Sequence, residues 1–277
     1  ALETLPLKAE EKPIYIIGTE VPVPGGAREE EDDIHPTTAE DAAHTVNTIK
    51  ESFKNAGLLE AWDRVIGLVV QPGVEFGDDR VFKYQRGKAT HLSKAILEFG
   101  HLVYEAHSTD YQTEENLRAL VEDHFCILKV GPWLTFAYRE ALFALEAMEI
   151  EILGKDHKNL SNLRNTLETA MLAEPKYWAK YYVGDEQKRL FKRKYSFSDR
   201  LRYYWPLPEL DQAKNRLFEN LRKHCIPFSL LSQFMPVQFY QVNEGLISTD
   251  PQELVHSYIQ IVSGIYSRAC GLSVKNR

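Results

Sequence analysis

The feature of this sequence that most constrains its fold is a fourfold alternation of short apolar runs with amphipathic segments in its first 154 residues. The runs comprise residues 14–19, 65–71, 102–107 and 125–130, and three of them are rich in β-branched or aromatic residues. Runs of this length and composition, bounded by Gly or Pro, are typical of strands that are covered on both faces. They therefore predict a parallel sheet.

The segments between the runs carry helix signals. Thr37 and Thr38 precede Glu40 and Asp41 in a capping-box spacing, apolar residues then recur at helical period, and Gly57 supplies a C-terminal stop. Further helices are predicted over residues 91–99, from Thr113 onward, and over 134–153. Strands alternating with helices in this way indicate right-handed βαβ units.

Two α/β architectures, a barrel and a doubly wound sheet, can be built from such units. The polar residues that follow every predicted strand favour the barrel, in which the chemistry lies at the strand ends. These ends are Thr19–Glu20, Gln71–Gly73, Glu105–Asp110 and Lys129–Pro132. No GxGxxG or GxxxxGK[ST] motif follows a strand. This disfavours a dinucleotide fold and a P-loop kinase, so no nucleotide cofactor is expected.

The pattern changes after Gly154, where helices separated by Pro-rich and aromatic segments replace the strands. Residues 160–172, 212–223 and 252–266 are the predicted helices. The charge changes at the same place, from 14 basic against 28 acidic residues up to Gly154 to 19 against 12 afterwards. Two domains are predicted, 1–154 and 155–277. The acidic first part argues against a nucleic-acid partner, because binding to phosphates needs clustered Lys and Arg.

Hydropathy and cysteine usage narrow the class of protein further. No apolar run reaches the roughly 18 residues that a membrane span requires, so no membrane contact is expected. The three cysteines are far apart in sequence and form no CxxC motif. This pattern favours a reducing, cytoplasmic location.

The most reactive pair of strand-end residues is Glu105 and His107, which strand alternation places on one face. Together they could act as acid and base or as ligands of a divalent metal ion. The alternative is a buried polar pair. Lys129 ends the next strand and is a third candidate catalytic residue, suited to an oxyanion, a phosphate or a Schiff base. Its alternative role is an ion pair with Glu105.

A second group of strand-end residues is suited to binding phosphate. Ser108, Thr109, Asp110 and Gly131 follow the last two strands of the set, where barrels often hold a phosphate with hydroxyl and backbone N–H groups. Gln71 is a weaker candidate at the end of an earlier strand.

The predicted helical region contains one unusual segment, YSFSDRLRYYWP, over residues 195–206. Arg200 and Arg202 in this segment could clamp a phosphate while the neighbouring aromatic rings cover a sugar. Packing of the rings with arginines at the surface is the alternative.

Five strings together resemble one known family. They are IGTEVPVPGG (17–26), VVQPGVEF (69–76), VYEAHSTDYQT (103–113), DHFCILKVGP (123–132) and the 195–206 segment. They closely resemble the Z-type subunit of D-tagatose-1,6-bisphosphate aldolase, in the same order along the chain. The resemblance implies a TIM (β/α)8 barrel with a C-terminal helical portion. Family members carry a further N-terminal half barrel with no counterpart here, so the expectation is the C-terminal half barrel plus the helical extension.

The resemblance implies two alternative functions. One is an accessory subunit that supports the stability and activity of a catalytic Y-type aldolase subunit in galactitol and N-acetylgalactosamine breakdown. The other is a metal-dependent 4-epimerase that interconverts tagatose 6-phosphate and fructose 6-phosphate. The partners implied are the Y-type subunit and a phosphorylated ketose. Self-association of the chain is left open, as is the identity of any divalent metal.

Overall fold

The computed structural model describes residues 3, 6, 8–18 and 34–272. The chain divides into two compact units, residues 1–130 together with 266–277, and residues 131–265. The long helix α5 (Pro132–Leu153) falls in the second unit, where it packs against later helices. The predicted domains, a half barrel of residues 1–154 and a helical extension of residues 155–277, stay a prediction. The strand end Thr19–Glu20 lies outside the described residues.

The first unit is built on a four-stranded parallel sheet, which confirms the α/β class and the four predicted strands. The sheet order is β1-β2-β5-β6, and each neighbouring pair is parallel. The strands are shorter than the apolar runs that predicted them. Their bounds are β1 (Tyr15–Ile17), β2 (Val65–Val70), β5 (Val103–Ala106) and β6 (Ile127–Leu128). A two-stranded antiparallel hairpin, β3 (Glu75–Phe76) and β4 (Val81–Phe82), was not predicted.

Helices connect the strands, as the alternation of patterns predicts. The Thr38 hydroxyl accepts from the Asp41 N–H at 3.1 Å, which confirms a cap at one of the two predicted threonines. The Thr113 hydroxyl accepts from the Asn116 N–H at 3.2 Å, so the predicted start of the later helix is confirmed as well. The bounds are α1 (Ala39–Asn55), α2 (Leu59–Trp62), α3 (Arg86–Ala95) and α4 (Glu114–Glu122). The predicted start of α3 is wrong by five residues, because its cap residue Gln85 makes no side-chain capping bond that a pattern could reveal.

The two faces of the sheet differ in burial. Leu68 and Tyr104, which are side by side in the register, are fully buried on one face. On the other face Gly67 leaves room for its neighbours, because a Cβ there would come within 3.3 Å of Ile127 and 3.4 Å of Ile16. Ile16 on this second face is 44% exposed. The second face is therefore the open one.

The second unit is entirely helical within the described residues. Its helices are α5 (Pro132–Leu153), α6 (Leu163–Ala173), α7 (Glu186–Tyr195), α8 (Pro208–His224), α9 (Phe228–Phe234), α10 (Pro236–Asn243) and most of α11 (Pro251–Ala269). Two buried carboxylates of α5 satisfy backbone N–H groups at the start of α6: Glu146 accepts from Arg164 at 3.1 Å and Glu149 from Ser161 at 3.0 Å. Such bonds offset the cost of burying the charges.

No helix in the described part of the chain is both long and apolar enough to cross a membrane. The three cysteines, Cys126, Cys225 and Cys270, are free thiols at exposed positions. Cys126 directly precedes the short strand β6.

Candidate functional site

Three predicted site residues come together at the carboxyl end of the parallel sheet. His107 Nε2 lies 2.7 Å from Glu105 Oε1, and Lys129 Nζ lies 3.4 Å from the same oxygen. We call these three residues the Glu105 cluster. Because the carboxyl ends of parallel strands meet at one edge of a sheet, residues of β5 and of the segment after β6 converge there.

The strand register explains how the cluster forms. Glu105 is the last residue but one of β5 and lies beside Ile127 of β6. The N–H of Lys129 continues the ladder by donating to the Ala106 carbonyl at 2.9 Å. Glu105 and His107 are two residues apart, so alternation returns them to the same face. The sequence prediction that these two side chains converge is confirmed.

Exposure rises step by step across the cluster. The side chain of Glu105 is 5% exposed, that of His107 21% and that of Lys129 56%. A buried carboxylate therefore supports two groups that solvent or a ligand can reach. When His107 is neutral, the bond to Glu105 holds the proton on Nε2 and leaves Nδ1 with a free lone pair. The cluster thus offers a base at Nδ1 and a cation at Nζ.

The cluster does not by itself form a metal site. Glu105 and His107 supply one oxygen and one nitrogen donor, and they are bonded to each other. Among the residues that the structure describes, no group of three or more His, Cys, Asp or Glu side chains is arranged to hold a metal ion. Metal sites in proteins use at least three such donors in most cases. The residues described do not fit a complete divalent site, so the chemistry below is derived from side chains alone.

Gln71 shapes its own loop. Its side-chain oxygen accepts from the N–H groups of Gly73 at 2.9 Å and Val74 at 3.0 Å, and its backbone N–H donates to the Thr37 hydroxyl at 2.8 Å. Gly73 has a φ of +90°, which explains why glycine occupies this turn. These contacts favour a structural role for the Gln71 carbonyl oxygen.

The predicted phosphate-binding residues after β5 occupy different environments. Thr109 is fully buried, and its hydroxyl contacts the Lys129 carbonyl at 2.7 Å and the Tyr266 hydroxyl at 2.9 Å. Asp110 is also buried. Ser108 is half-buried with a φ of +53°. The geometry favours Ser108, whose side chain remains partly accessible, over Thr109 as a contact for an external ligand.

The remaining predicted residues lie in the second unit. The buried Arg200 donates to the Tyr177 carbonyl at 3.4 Å and its guanidinium stacks 3.0 Å from the centre of the Tyr181 ring. Arg202 donates to the carbonyls of Ser198 and Asp199. Burial lowers the pKa of Arg200. These contacts favour packing with the aromatic rings and backbone carbonyls over phosphate binding, but Arg200 is buried and not at the surface as that alternative expected.

Gly131 is the residue that precedes α5. Its φ is −135°, and a Cβ built there would meet nothing within 4 Å. The space beside its Cα is therefore open.

Two features of this edge of the sheet were missed from the sequence. Tyr266, near the end of α11, bonds to Thr109 across 157 positions of sequence, and no local pattern signals such a contact. A small cleft also opens after β2, and Lys83 and Lys88 give it positive charge. Its other lining residues are Ile34, Pro72, Gly73, Phe82 and Gln85.

The family model for D-tagatose-1,6-bisphosphate aldolase subunits of the GatZ/KbaZ-like type matches residues 1–271 of this chain. The chain belongs to this family. The matched range includes residues of both compact units, and the parallel sheet, the Glu105 cluster and the helices of the second unit all lie within it.

A solved structure of a family relative agrees with this assignment. It is described as a probable tagatose 6 phosphate kinase from Sinorhizobium meliloti 1021, and it shares 40% sequence identity with this chain at a TM-score of 0.84. The match covers 93% of this chain and 63% of the solved chain. This GatZ/KbaZ-like chain therefore spans less than two thirds of the length of that relative.

Proposed function

We propose that this GatZ/KbaZ-like chain is an accessory subunit of tagatose-1,6-bisphosphate aldolase. In this role it supports the stability and activity of the catalytic Y-type subunit during galactitol and N-acetylgalactosamine breakdown. The observation that carries the proposal is the match of the aldolase-subunit family model to residues 1–271.

We further propose that the first unit is half of a (β/α)8 barrel. Three observations support this architecture. The four strands are all parallel, β1 and β6 end the described sheet without a further neighbour among the described residues, and the face that carries Ile16 is open. Barrel strands require a neighbour on each side and side chains that fill the interior.

Co-expression with the Y-type subunit tests the accessory role. We expect the half-life of aldolase activity at 37 °C to lengthen when this chain is present. The variant Glu105→Gln is the matched control, since a supporting surface does not use the cluster and should protect the aldolase equally well. An aldolase half-life that is the same with and without the chain would contradict the accessory role.

The Glu105 cluster favours a second candidate, a ketose-6-phosphate 4-epimerase, because a purely supporting subunit needs no base and cation side by side. In a retro-aldol route, His107 Nδ1 would take the proton of the C4 hydroxyl. The C3–C4 bond would then break, and its electron pair would move to the C2 carbonyl to give an enediolate beside the Lys129 ammonium. Rotation of the aldehyde and re-addition, with return of the proton from His107, would invert C4.

A direct assay tests the epimerase. The purified protein is incubated with fructose 6-phosphate, alone and with each of several divalent metals, and tagatose 6-phosphate is followed by NMR. We expect conversion that His107→Ala lowers by about 100-fold. A substitution of the exposed His44 on α1 to Ala is the control and should leave the rate unchanged. Absence of conversion under every condition would remove this candidate and leave the accessory role.

A further inference from the structure

The carbonyl of Lys129 is held by a chain of two hydrogen bonds that begins in the C-terminal helix. Tyr266 of α11 places its hydroxyl 2.9 Å from both the Oγ1 and the carbonyl oxygen of Thr109. Thr109 Oγ1 in turn lies 2.7 Å from the Lys129 carbonyl. All three residues belong to the first compact unit.

Counting the hydroxyl protons gives the direction of donation along these hydrogen bonds. A carbonyl oxygen only accepts, so the single hydroxyl proton of Thr109 goes to Lys129. Thr109 Oγ1 must then accept from Tyr266, whose own proton is shared between the two oxygens of Thr109. The order of donation is therefore Tyr266 to Thr109 to Lys129. Burial is complete at Thr109, so water does not replace a missing partner there.

These hydrogen bonds fix the carbonyl group of Lys129. The N–H of Lys129 already bonds to the Ala106 carbonyl of β5. With its carbonyl held by Thr109, both backbone groups of Lys129 are fixed. The side chain therefore extends from a fixed Cα, and its Nζ lies 3.4 Å from Glu105 Oε1. Arg268 of α11 also forms an ion pair with Glu114 of α4 at 2.8 Å. This ion pair holds the C-terminal end of α11, which carries Tyr266, against the first turn of α4.

We propose that Tyr266 and Thr109 are positioning residues for Lys129 in the Glu105 cluster. They touch neither substrate nor reacting atoms and act by fixing the backbone that carries the ammonium. This inference rests on the proposed epimerase for its catalytic consequence. Its structural consequence, the placement of Nζ beside Glu105, is measurable without turnover.

Competitive acetylation of the full chain measures that placement. Limiting acetic anhydride is added, and mass spectrometry gives the ratio of modification at Lys129 to that at the exposed Lys94 of α3. An ammonium held beside a carboxylate reacts more slowly than a free amine. We expect Thr109→Val to raise the ratio about threefold and Tyr266→Phe to raise it about twofold. Thr109→Ser keeps the hydroxyl and should give the same acetylation ratio as the unsubstituted protein.

Two controls separate positioning from general destabilisation. Tyr258→Phe removes a hydroxyl from the same helix, at a ring that packs in the helical core, and should leave the ratio unchanged. If Thr109→Val does not fold, Tyr266→Phe and Thr109→Ser carry the test. An unchanged ratio in Tyr266→Phe, or a raised ratio in Tyr258→Phe, would overturn the inference.

Kinetics supply a second readout if the protein epimerises ketose phosphates. Thr109→Val should then lower kcat by about tenfold with KM unchanged, because Thr109 contacts no substrate. Equal loss in kcat and rise in KM would instead indicate a substrate contact and overturn the positioning role. If the unsubstituted protein shows no conversion, the epimerase proposal fails while the acetylation ratio still decides the inference.

Discussion

Each compact unit contains a buried carboxylate with a basic neighbour, and the two arrangements differ in what surrounds them. In the first unit Glu105 supports His107 and Lys129, whose side chains are progressively more exposed. In the second unit Asp199 faces Arg139, and the two side chains are only 1% and 2% exposed. One carboxylate serves groups that a ligand can reach, whereas the other is enclosed.

The bonds of the enclosed pair show what it does. Arg139 Nε is 3.8 Å from Asp199 Oδ1, which is an ion pair without a direct hydrogen bond, and Thr135 donates to the other carboxylate oxygen. The guanidinium also lies 3.7 Å from the centre of the Phe136 ring. Burial raises the pKa of Asp199 to about 6. A perturbed pKa alone would mark Asp199 as functional, but its enclosure shows that the pair holds α5 to the 195–206 segment.

The largest effect that would sharpen this comparison is on stability. Arg139→Ala leaves the Asp199 carboxylate buried without its cation, and we expect the free energy of unfolding to fall by about 3 to 5 kcal/mol. Arg222→Ala is the matched control, because Arg222 pairs with Asp250 at 2.7 Å on the surface. Its loss should cost less than about 1 kcal/mol. Urea unfolding followed by fluorescence measures the free energy of unfolding of both variants. Equal losses would show that the enclosed pair contributes no more to stability than the surface pair.

The next effect concerns activity at the open carboxylate. Glu105→Gln keeps the volume and one acceptor but removes the charge that orients His107 and attracts Lys129. In the proposed epimerase we expect turnover to fall about 100-fold, while the free energy of unfolding changes by no more than about 1 kcal/mol. A drop in stability as large as that of Arg139→Ala would show that Glu105, like Asp199, serves the fold.

The smallest expected effect is the pH dependence of the stability of the second unit. The folded pKa of Asp199, about 6, is above its ordinary value of 3.8, so the folded state binds more protons between these values. The contribution of Asp199 to stability is therefore greatest below about pH 4 and is lost as the pH rises through 6. Between about pH 4.5 and pH 7 this loss is on the order of 2 kcal/mol.

Asp199→Asn removes this titration and provides the check. Unfolding free energies of both proteins are compared at about pH 4.5 and pH 7, using tryptophan fluorescence. Three of the four tryptophans, Trp133, Trp178 and Trp205, lie in the second unit and report on it. The fall in stability between the two pH values should be smaller in the variant. A fall of equal size would assign the pH dependence to other groups.

Local patterns were sufficient for the framework of the first unit. The short apolar runs predicted the four parallel strands, and the helix starts near Thr38 and at Thr113 were also predicted, because strand propensity and helix-start signals depend on neighbouring residues. The meeting of Glu105 with His107 followed from alternation alone. The pairing of Lys129 with Glu105 was an open alternative, since it depends on the register between β5 and β6.

The features that the sequence did not reveal depend on distant or buried partners. Thr109 and Ser108 are adjacent hydroxyl residues, yet Tyr266 engages one of them from 157 positions away. Arg200 and Arg202 look like phosphate ligands in a basic aromatic segment, but backbone carbonyls and tyrosine rings hold them. Composition cannot tell a guanidinium that awaits a ligand from one that already has its partners.

The backbone at Ser108 has a consequence for how this protein could change over generations. With a φ of +53°, this serine adopts a conformation that costs an L-residue roughly 1 kcal/mol or more. Glycine adopts it freely, so Ser108→Gly is a simple route to greater thermal tolerance. A laboratory selection for survival at high temperature should recover glycine at this position. A selection that also demands turnover should retain serine if its hydroxyl contacts the substrate.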